Sequence, residues 1–203
     1  VSDALKIYGQ ASYNRYRGQS FYQQTPSTNV TIRSDNAYLQ TQYPTVAAAM
    51  AANGLASITI GTSNFGFPVP GSDNTREVYR YVLGARGDFA LFGQKWSWDS
   101  YYQHGATKSH EELTNTWNNA RMALAQDAVF APAGNALGVA AGTVVCRSSL
   151  TTPTNGCSPL NILGTNVSSP QALAYVLGNP YRNQTFKQTV AEANLSFDPF
   201  RTW

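Results

Sequence analysis

Cys146 and Cys157 are the residues of this sequence best suited to covalent chemistry. They lie close together on either side of Pro153 and an Asn155-Gly156 turn. A disulfide closing so short a loop stabilises it by about 3 kcal/mol or somewhat less, and it implies an oxidising compartment: periplasm, cell surface or outside. The other reading is a pair of reduced thiols in a loop. Zinc is not expected there, because it takes four ligands and no histidine is nearby. His104 and His110, the latter followed by Glu111 and Glu112, are the second set of candidate ligands. Their spacing imposes no convergence, so they read as residues flanking a strand end, at a solvated loop edge. No metal and no cofactor are expected. The sequence holds no phosphate-binding glycine loop, no H-E-x-x-H, no G-x-S-x-G and no EF-hand loop. Its 11 acidic residues are scattered without the pairing that glycoside chemistry needs. The expectation is a protein that is not an enzyme. Arg86-Gly87-Asp88 spells an adhesion tripeptide in mid-strand. Four Asn-x-Ser/Thr sites, at Asn29, Asn166, Asn183 and Asn194, match the glycosylation pattern. Both read as coincidences of composition.

The composition is polar without being charged. Charged residues make up 12 % of the chain and aromatics another 12 %, with 12 Tyr; so many rings and so few charges exclude a charge-driven disordered chain. A net charge of +3, with no two basic residues adjacent, supplies no stripe for nucleic acid. Tyr, Thr, Val and Trp favour strands, and 16 Gly with 10 Pro provide turns. No apolar run is long enough for a membrane helix. Residues 5–9 read as the inside of a strand and residues 200–203 as mid-pattern, with no signal peptide in front. Both ends are therefore expected to be cuts through a longer pattern.

The clearest element runs from Tyr79 to Phe89. Tyr79, Tyr81, Leu83, Ala85, Gly87 and Phe89 share one parity, and Arg80, Val82, Gly84, Arg86 and Asp88 the other. Period two sends these sets to opposite faces of a strand. A turn at residues 92–95 leads to a second strand, in which Trp96, Trp98, Tyr102 and Ala106 oppose Ser97, Asp99, Tyr101 and Gln103. Phe89, Phe92, Trp96 and Trp98 thus crowd one end of a hairpin. A membrane–water interface selects such a cluster, as does the core of a soluble β-sandwich. Near the C-terminus Ala191, Ala193, Leu195 and Phe197 oppose Gln188, Val190, Glu192 and Asn194, and Phe197, Phe200 and Trp203 repeat the aromatic crowding. The expected architecture is one incomplete, mainly β segment over 1–203: an antiparallel meander of the transmembrane-barrel type, or a β-stacked, amyloid-like rearrangement of it. Strands are placed near 5–17, 78–91, 96–108 and 181–197, with long loops over 18–74 and 111–180. Within the loops, helices are expected at 45–52, 115–130 (with Asn115 as a cap) and 170–177, and a strand at 56–60. Short turns at one end and long loops at the other are the asymmetry of an outer-membrane barrel.

The segment Phe92-Gly93-Gln94-Lys95-Trp96-Ser97-Trp98-Asp99-Ser100-Tyr101-Tyr102-Gln103-His104-Gly105 resembles the "FG..W.WD.YYQ.G" hairpin of TonB-dependent outer-membrane receptors. Ser34-Asp35-Asn36-Ala37-Tyr38-Leu39 resembles the "SDNAYLP" element of their surface loops, with Gln40 in place of the usual Pro. The likeness continues through Cys146-Arg147-Ser148, Gly156-Cys157-Ser158-Pro159-Leu160-Asn161 and Leu177-Gly178-Asn179-Pro180-Tyr181-Arg182, and so covers nearly the whole chain. In that family a plug sits inside a barrel of about 22 strands, and energy from an inner-membrane complex drives uptake of siderophores, vitamin B12 or glycans. The resemblance implies a stretch of barrel wall in the bacterial outer membrane, with two surface loops that can touch substrate but cannot transport it alone.

Taken as an entire molecule, such a stretch poses a physical problem. Membrane barrels start at about 8 strands, and an open four-stranded sheet leaves two unpaired edges and an uncovered apolar face. Pairing with copies of itself solves this, edge to edge or stacked as a fibril, and low charge tolerates in-register stacking. The leading expectation is therefore a free fragment that self-assembles into a structural filament at the cell surface or outside, with copies of itself as partners and no nucleic acid. A receptor wall segment is the alternative. A soluble β-sandwich lectin using Trp117, Tyr101 or Tyr102 as sugar platforms is the third.

Overall fold

A computed structural model describes residues 5–24 and 26–197. The chain is mainly β, with antiparallel pairing, and it divides into two compact units. Unit 1 comprises residues 5–19, Asp73–Glu112 and residues 181–197; unit 2 comprises residues 20–24, 26–72 and Leu113–Pro180.

Unit 1 is built on four long strands: β1 (Leu5–Phe21), β4 (Gly71–Leu91), β5 (Gln94–Thr114) and β10 (Tyr181–Phe197), in the sheet order β1-β4-β5-β10. Each strand lies beside the next of the four along the chain, so the sheet is a meander, and it does not close on itself. β4 and β5 meet in a two-residue turn, with Phe92 at φ 52° and Gly93 at φ 74°. Two successive positive φ values give the twist that a tight hairpin needs. β10 pairs with β5 in unbroken register from Tyr181 opposite Glu112 to Phe197 opposite Trp96. Tyr8 lies across Gly84, where a Cβ would come within 2.3 Å of the ring. An aromatic thus covers the glycine that would otherwise weaken β4.

Three of the four strands run past the ends their apolar pattern suggests: β1 beyond 17, β4 back to Gly71, and β5 out to Thr114. Most of the added residues are polar, and cross-strand pairs hold them. Arg17 and Gln19 both donate to Asp73, and Arg76 and Arg182 both donate to Glu111. Hydrophobic alternation marks where a strand has an apolar face; hydrogen-bonded side-chain ladders continue it without one. For the same reason His104 and His110 lie within β5, not at its end.

Unit 2 contains β2 (Ser27–Arg33), α1 (Ala37–Gln42), α2 (Pro44–Ala52), β3 (Ser57–Thr62), β6 (Thr116–Trp117), α3 (Asn119–Gln126), β7 (Ala128–Phe130), β8 (Val144–Cys146), α4 (Arg147–Thr151), α5 (Pro170–Val176) and β9 (Leu177–Gly178). The pairs β2–β3, β6–β9 and β7–β8 are antiparallel ribbons. Among the described residues no helix exceeds nine residues, below the length at which a helix persists alone. Packing must hold them, and the core is there: Ile32, Leu39, Met50, Met122, Leu160, Ile162 and Val176 are buried together. α3 begins at Asn119, and its cap is Asn118, whose side chain accepts from the Arg121 amide. Asn115 is instead a left-handed residue, φ 53°, ahead of β6, and so cannot cap; a cap residue needs extended φ and ψ. Buried Asn36 caps α1 through the Tyr38 and Leu39 amides and also donates to the Gln126 carbonyl.

Cys146 and Cys157 form a disulfide, with Cα atoms 6.1 Å apart. Next to it Arg147 donates to Asp35 at 2.6 Å and to Asp127 at 3.0 Å, while Arg33 approaches Asp127 to 3.7 Å. The Arg147 hydrogen bond holds the Asp35 carboxyl below its ordinary pKa. These links tie the start of α1 and the ends of α3 and β8 into one body.

Every buried hydrophobic residue among the described residues belongs to unit 2. The sheet of unit 1 has no core of its own.

Candidate functional surface on the sheet

Because the sheet buries no apolar side chain, its two faces are its chemistry. Cross-strand contacts fix which residues share a face. Gln10, Arg80 and Gln103 are hydrogen-bonded in a row, and Tyr101 donates to Glu192, so even residues of β1, β4 and β10 join odd residues of β5. Over the hairpin half of the sheet this face carries Lys6, Arg80, Arg86, Asp88, Lys95, Asp99 and Glu192. Asp88 accepts from Ser97 and pairs with Lys95, and Asp99 accepts from Asn194.

The opposite face contrasts sharply over the same half. From Leu5 to Tyr13 on β1, Tyr79 to Leu91 on β4, Gln94 to Ala106 on β5 and Thr189 to Phe197 on β10, its residues include no Asp, Glu, Lys or Arg. Ile7 is 62 % exposed, Leu83 64 % and Leu195 60 %, values at which an apolar side chain stands fully in its surroundings. At the hairpin end Phe89 stacks on Trp96 with ring centres 6.1 Å apart, and Trp96 stacks on Phe197 at 4.2 Å. Phe92 projects from the turn and is 90 % exposed. Trp98 is half-buried opposite Leu195. Phe89, Trp96 and Phe197 therefore share one level of the sheet, with Trp98 two residues further along β5 and Phe92 in the turn at the other side. Phe200 and Trp203 lie outside the described residues.

A second aromatic level bounds the apolar stretch at its other end. Tyr13 and Tyr79 pack with ring centres 5.0 Å apart, and Tyr81 and Tyr102 stand exposed just below them. The sequence carried the signal in the parity of Tyr79, Tyr81 and Tyr102, but the level appears only once the strands are in register. Beyond it the face turns polar. Glu77 accepts from the Tyr13 and Tyr79 hydroxyls and pairs with Arg15 at 3.6 Å, and Lys108 lies 5.5 Å from the centre of the Tyr79 ring. From Tyr79 to Phe89 the strand covers ten steps, or about 33 Å at ~3.3 Å each.

The histidines do not converge on a ligand. His104 Nδ1 is 3.0 Å from the Thr189 hydroxyl and His110 Nδ1 is 2.7 Å from Asn183 Oδ1. His110 belongs to the polar end of the ladder and His104 to the uncharged stretch beside Tyr102, and among the described residues no three His, Cys, Asp or Glu group together as metal ligands. Tyr101 and Tyr102 point to opposite faces and so cannot form one sugar platform, while Trp117 meets Phe67 edge-on at 5.9 Å in unit 2. Also in unit 2, an open groove is lined by Thr28, Asn29, Thr31, Trp117, Asn119 and Gln126, among others.

No family model matches the sequence, and no curated protein or solved structure matches it.

Proposed function

We propose that this chain is a stretch of outer-membrane β-barrel wall with surface loops, of the TonB-dependent receptor kind, contributing to uptake of a siderophore, vitamin or glycan. The observation that carries the membrane part is the charge-free face bounded by aromatics at both ends. A strand tilted by ~40° turns about 33 Å of length into a height of about 25 Å, the thickness of the apolar band on an outer-membrane barrel. The opposite, charged face suits a polar lumen. One tight turn at the hairpin end, against long connections gathered into a folded unit, fits periplasmic turns and extracellular loops. The receptor kind rests on the sequence likeness of residues 92–105 and 34–39.

The test uses single cysteines introduced in turn from Tyr79 to Phe89 of the full chain reconstituted into vesicles; the native pair is oxidised and leaves no competing thiol. Dyes at odd positions are expected to be quenched from the lipid and dyes at even positions from water. Equal water access at both parities would overturn the membrane reading.

The two outer edges of the sheet favour a second reading. β1 and β10 have no further strand beside them among the described residues, and copies of the chain can satisfy those edges as a filament. That reading expects sedimentable polymer in detergent-free buffer, visible by electron microscopy.

Phe92 offers a separate check on the membrane reading. A bulky residue at positive φ is strained, and Asn is the better occupant of that turn position. The Phe92→Asn variant should therefore form its hairpin more readily in water yet bind vesicles about tenfold more weakly, for lack of one buried ring. Unchanged vesicle affinity in a co-sedimentation assay would remove the tip from the interface.

A further inference from the structure

We propose that Lys108 and Lys187, on the apolar side of the sheet at and just past its second aromatic level, hold the phosphate of a lipid headgroup. This rests on the membrane-facing reading of that side. Lys187 pairs with Ala106 and Thr185 with Lys108 in the β5–β10 register. The two lysines are thus diagonal neighbours on one face, with Cα atoms about 7–8 Å apart, close enough for both ammonium groups to reach one phosphate. Both are exposed. Among the described residues neither forms an ion pair; the carboxylate closest in the ladder, Glu77, is engaged by Arg15 and two tyrosine hydroxyls. Lys108 rests against the Tyr79 ring, which directs its flexible stem along the face. Thr185 and Thr189 flank the pair with hydroxyl donors.

Position names the occupant. Along β5, Lys187 stands level with Ala106, four residues past Tyr102, and Lys108 six residues past it, where apolar side chains give way to charge. At that level a lipid whose chains lie on Leu83 and Ala85 presents its headgroup. Basic residues at this depth recognise anionic headgroups by charge and hydrogen bonding. A soluble anion would gain nothing from the apolar face beneath.

The full chain would be reconstituted with phosphatidylcholine vesicles, with or without phosphatidic acid, and binding measured by co-sedimentation. The parent is expected to favour the phosphatidic acid vesicles. The variant with Lys108→Gln and Lys187→Gln should lose about 30-fold of affinity for them and none for phosphatidylcholine alone. A charge-matched control, Lys6→Gln with Arg86→Gln on the opposite face, should lose much less. Inorganic phosphate should compete poorly. Equal losses in variant and control would reduce the effect to net charge and overturn the site, as would full competition by inorganic phosphate. Failure to bind either vesicle would instead sink the membrane reading itself, so the two failures are told apart. Should the double variant fold poorly, Lys187→Gln alone, on an exposed edge strand, should still lose about fivefold.

Discussion

Leu83→Arg is expected to cost about 2–4 kcal/mol of folding stability in a bilayer, the penalty for a charge at the midplane of a barrel's lipid face. Leu83 lies close to midway between the Tyr79 and Phe89 levels and is largely exposed, so an arginine there meets no carboxylate on its own face without climbing past the aromatics. The matched control is Val190→Arg. Val190 stands opposite Gln103, close to the same depth but on the charged face, two residues from Glu192. There an arginine meets water and a carboxylate, and the cost should be below about 1 kcal/mol. Denaturant titration of both variants in vesicles measures the difference. Equal costs at the two positions would mean that the faces see the same medium, and no membrane wall has that property.

Removing the disulfide by a Cys146→Ala, Cys157→Ala double replacement is expected to destabilise unit 2 by about 3 kcal/mol through the freed loop entropy of the unfolded chain. Cys146 is buried and joins β8 to α4, next to the Arg147 pairs with Asp35 and Asp127. Loss of the clip should therefore spread beyond its own loop. Faster amide exchange is expected at the α1 and α3 ends that Arg147 and Asn36 link, with the β5–β10 ladder unchanged. The readout is hydrogen exchange of parent and variant in the same detergent. Loosening confined to residues 147–157 would show that the ion cluster holds unit 2 without help.

Several features were legible before any coordinates. The alternation of Tyr79–Phe89 and Trp96–Gln103 assigned faces correctly, because in a pleated strand parity alone decides the side. The Cys146–Cys157 pairing followed from a sequence with two cysteines close together around a turn. The Pro44–Ala52 helix showed in its alanine run and leading proline.

Other features needed partners far away in sequence. The strand extensions through Arg17, Asp73 and Glu111 exist because a charged residue on one strand meets its complement on the next, and register is not written in either segment alone. The cap of α3 is Asn118 and not Asn115 because the backbone of Asn115 is committed to a left-handed turn. The upper tyrosine level required Tyr13 to lie beside Tyr79, and the Tyr13 hydroxyl to reach Glu77 at a sequence separation of 64.

The amino-acid order by itself determined the period-two faces and the absence of charge on one of them, since each depends on neighbours within a few residues, and it placed the two cysteines near enough to pair. Tertiary structure alone decided that the long connections gather into a unit holding every buried hydrophobic residue among the described residues, and that the sheet holds none of them. The physical reason is that burial is a property of what packs against a side chain. Leu83 and Leu39 are the same residue to the sequence; only the surroundings each one finds leave the first open to its medium and enclose the second.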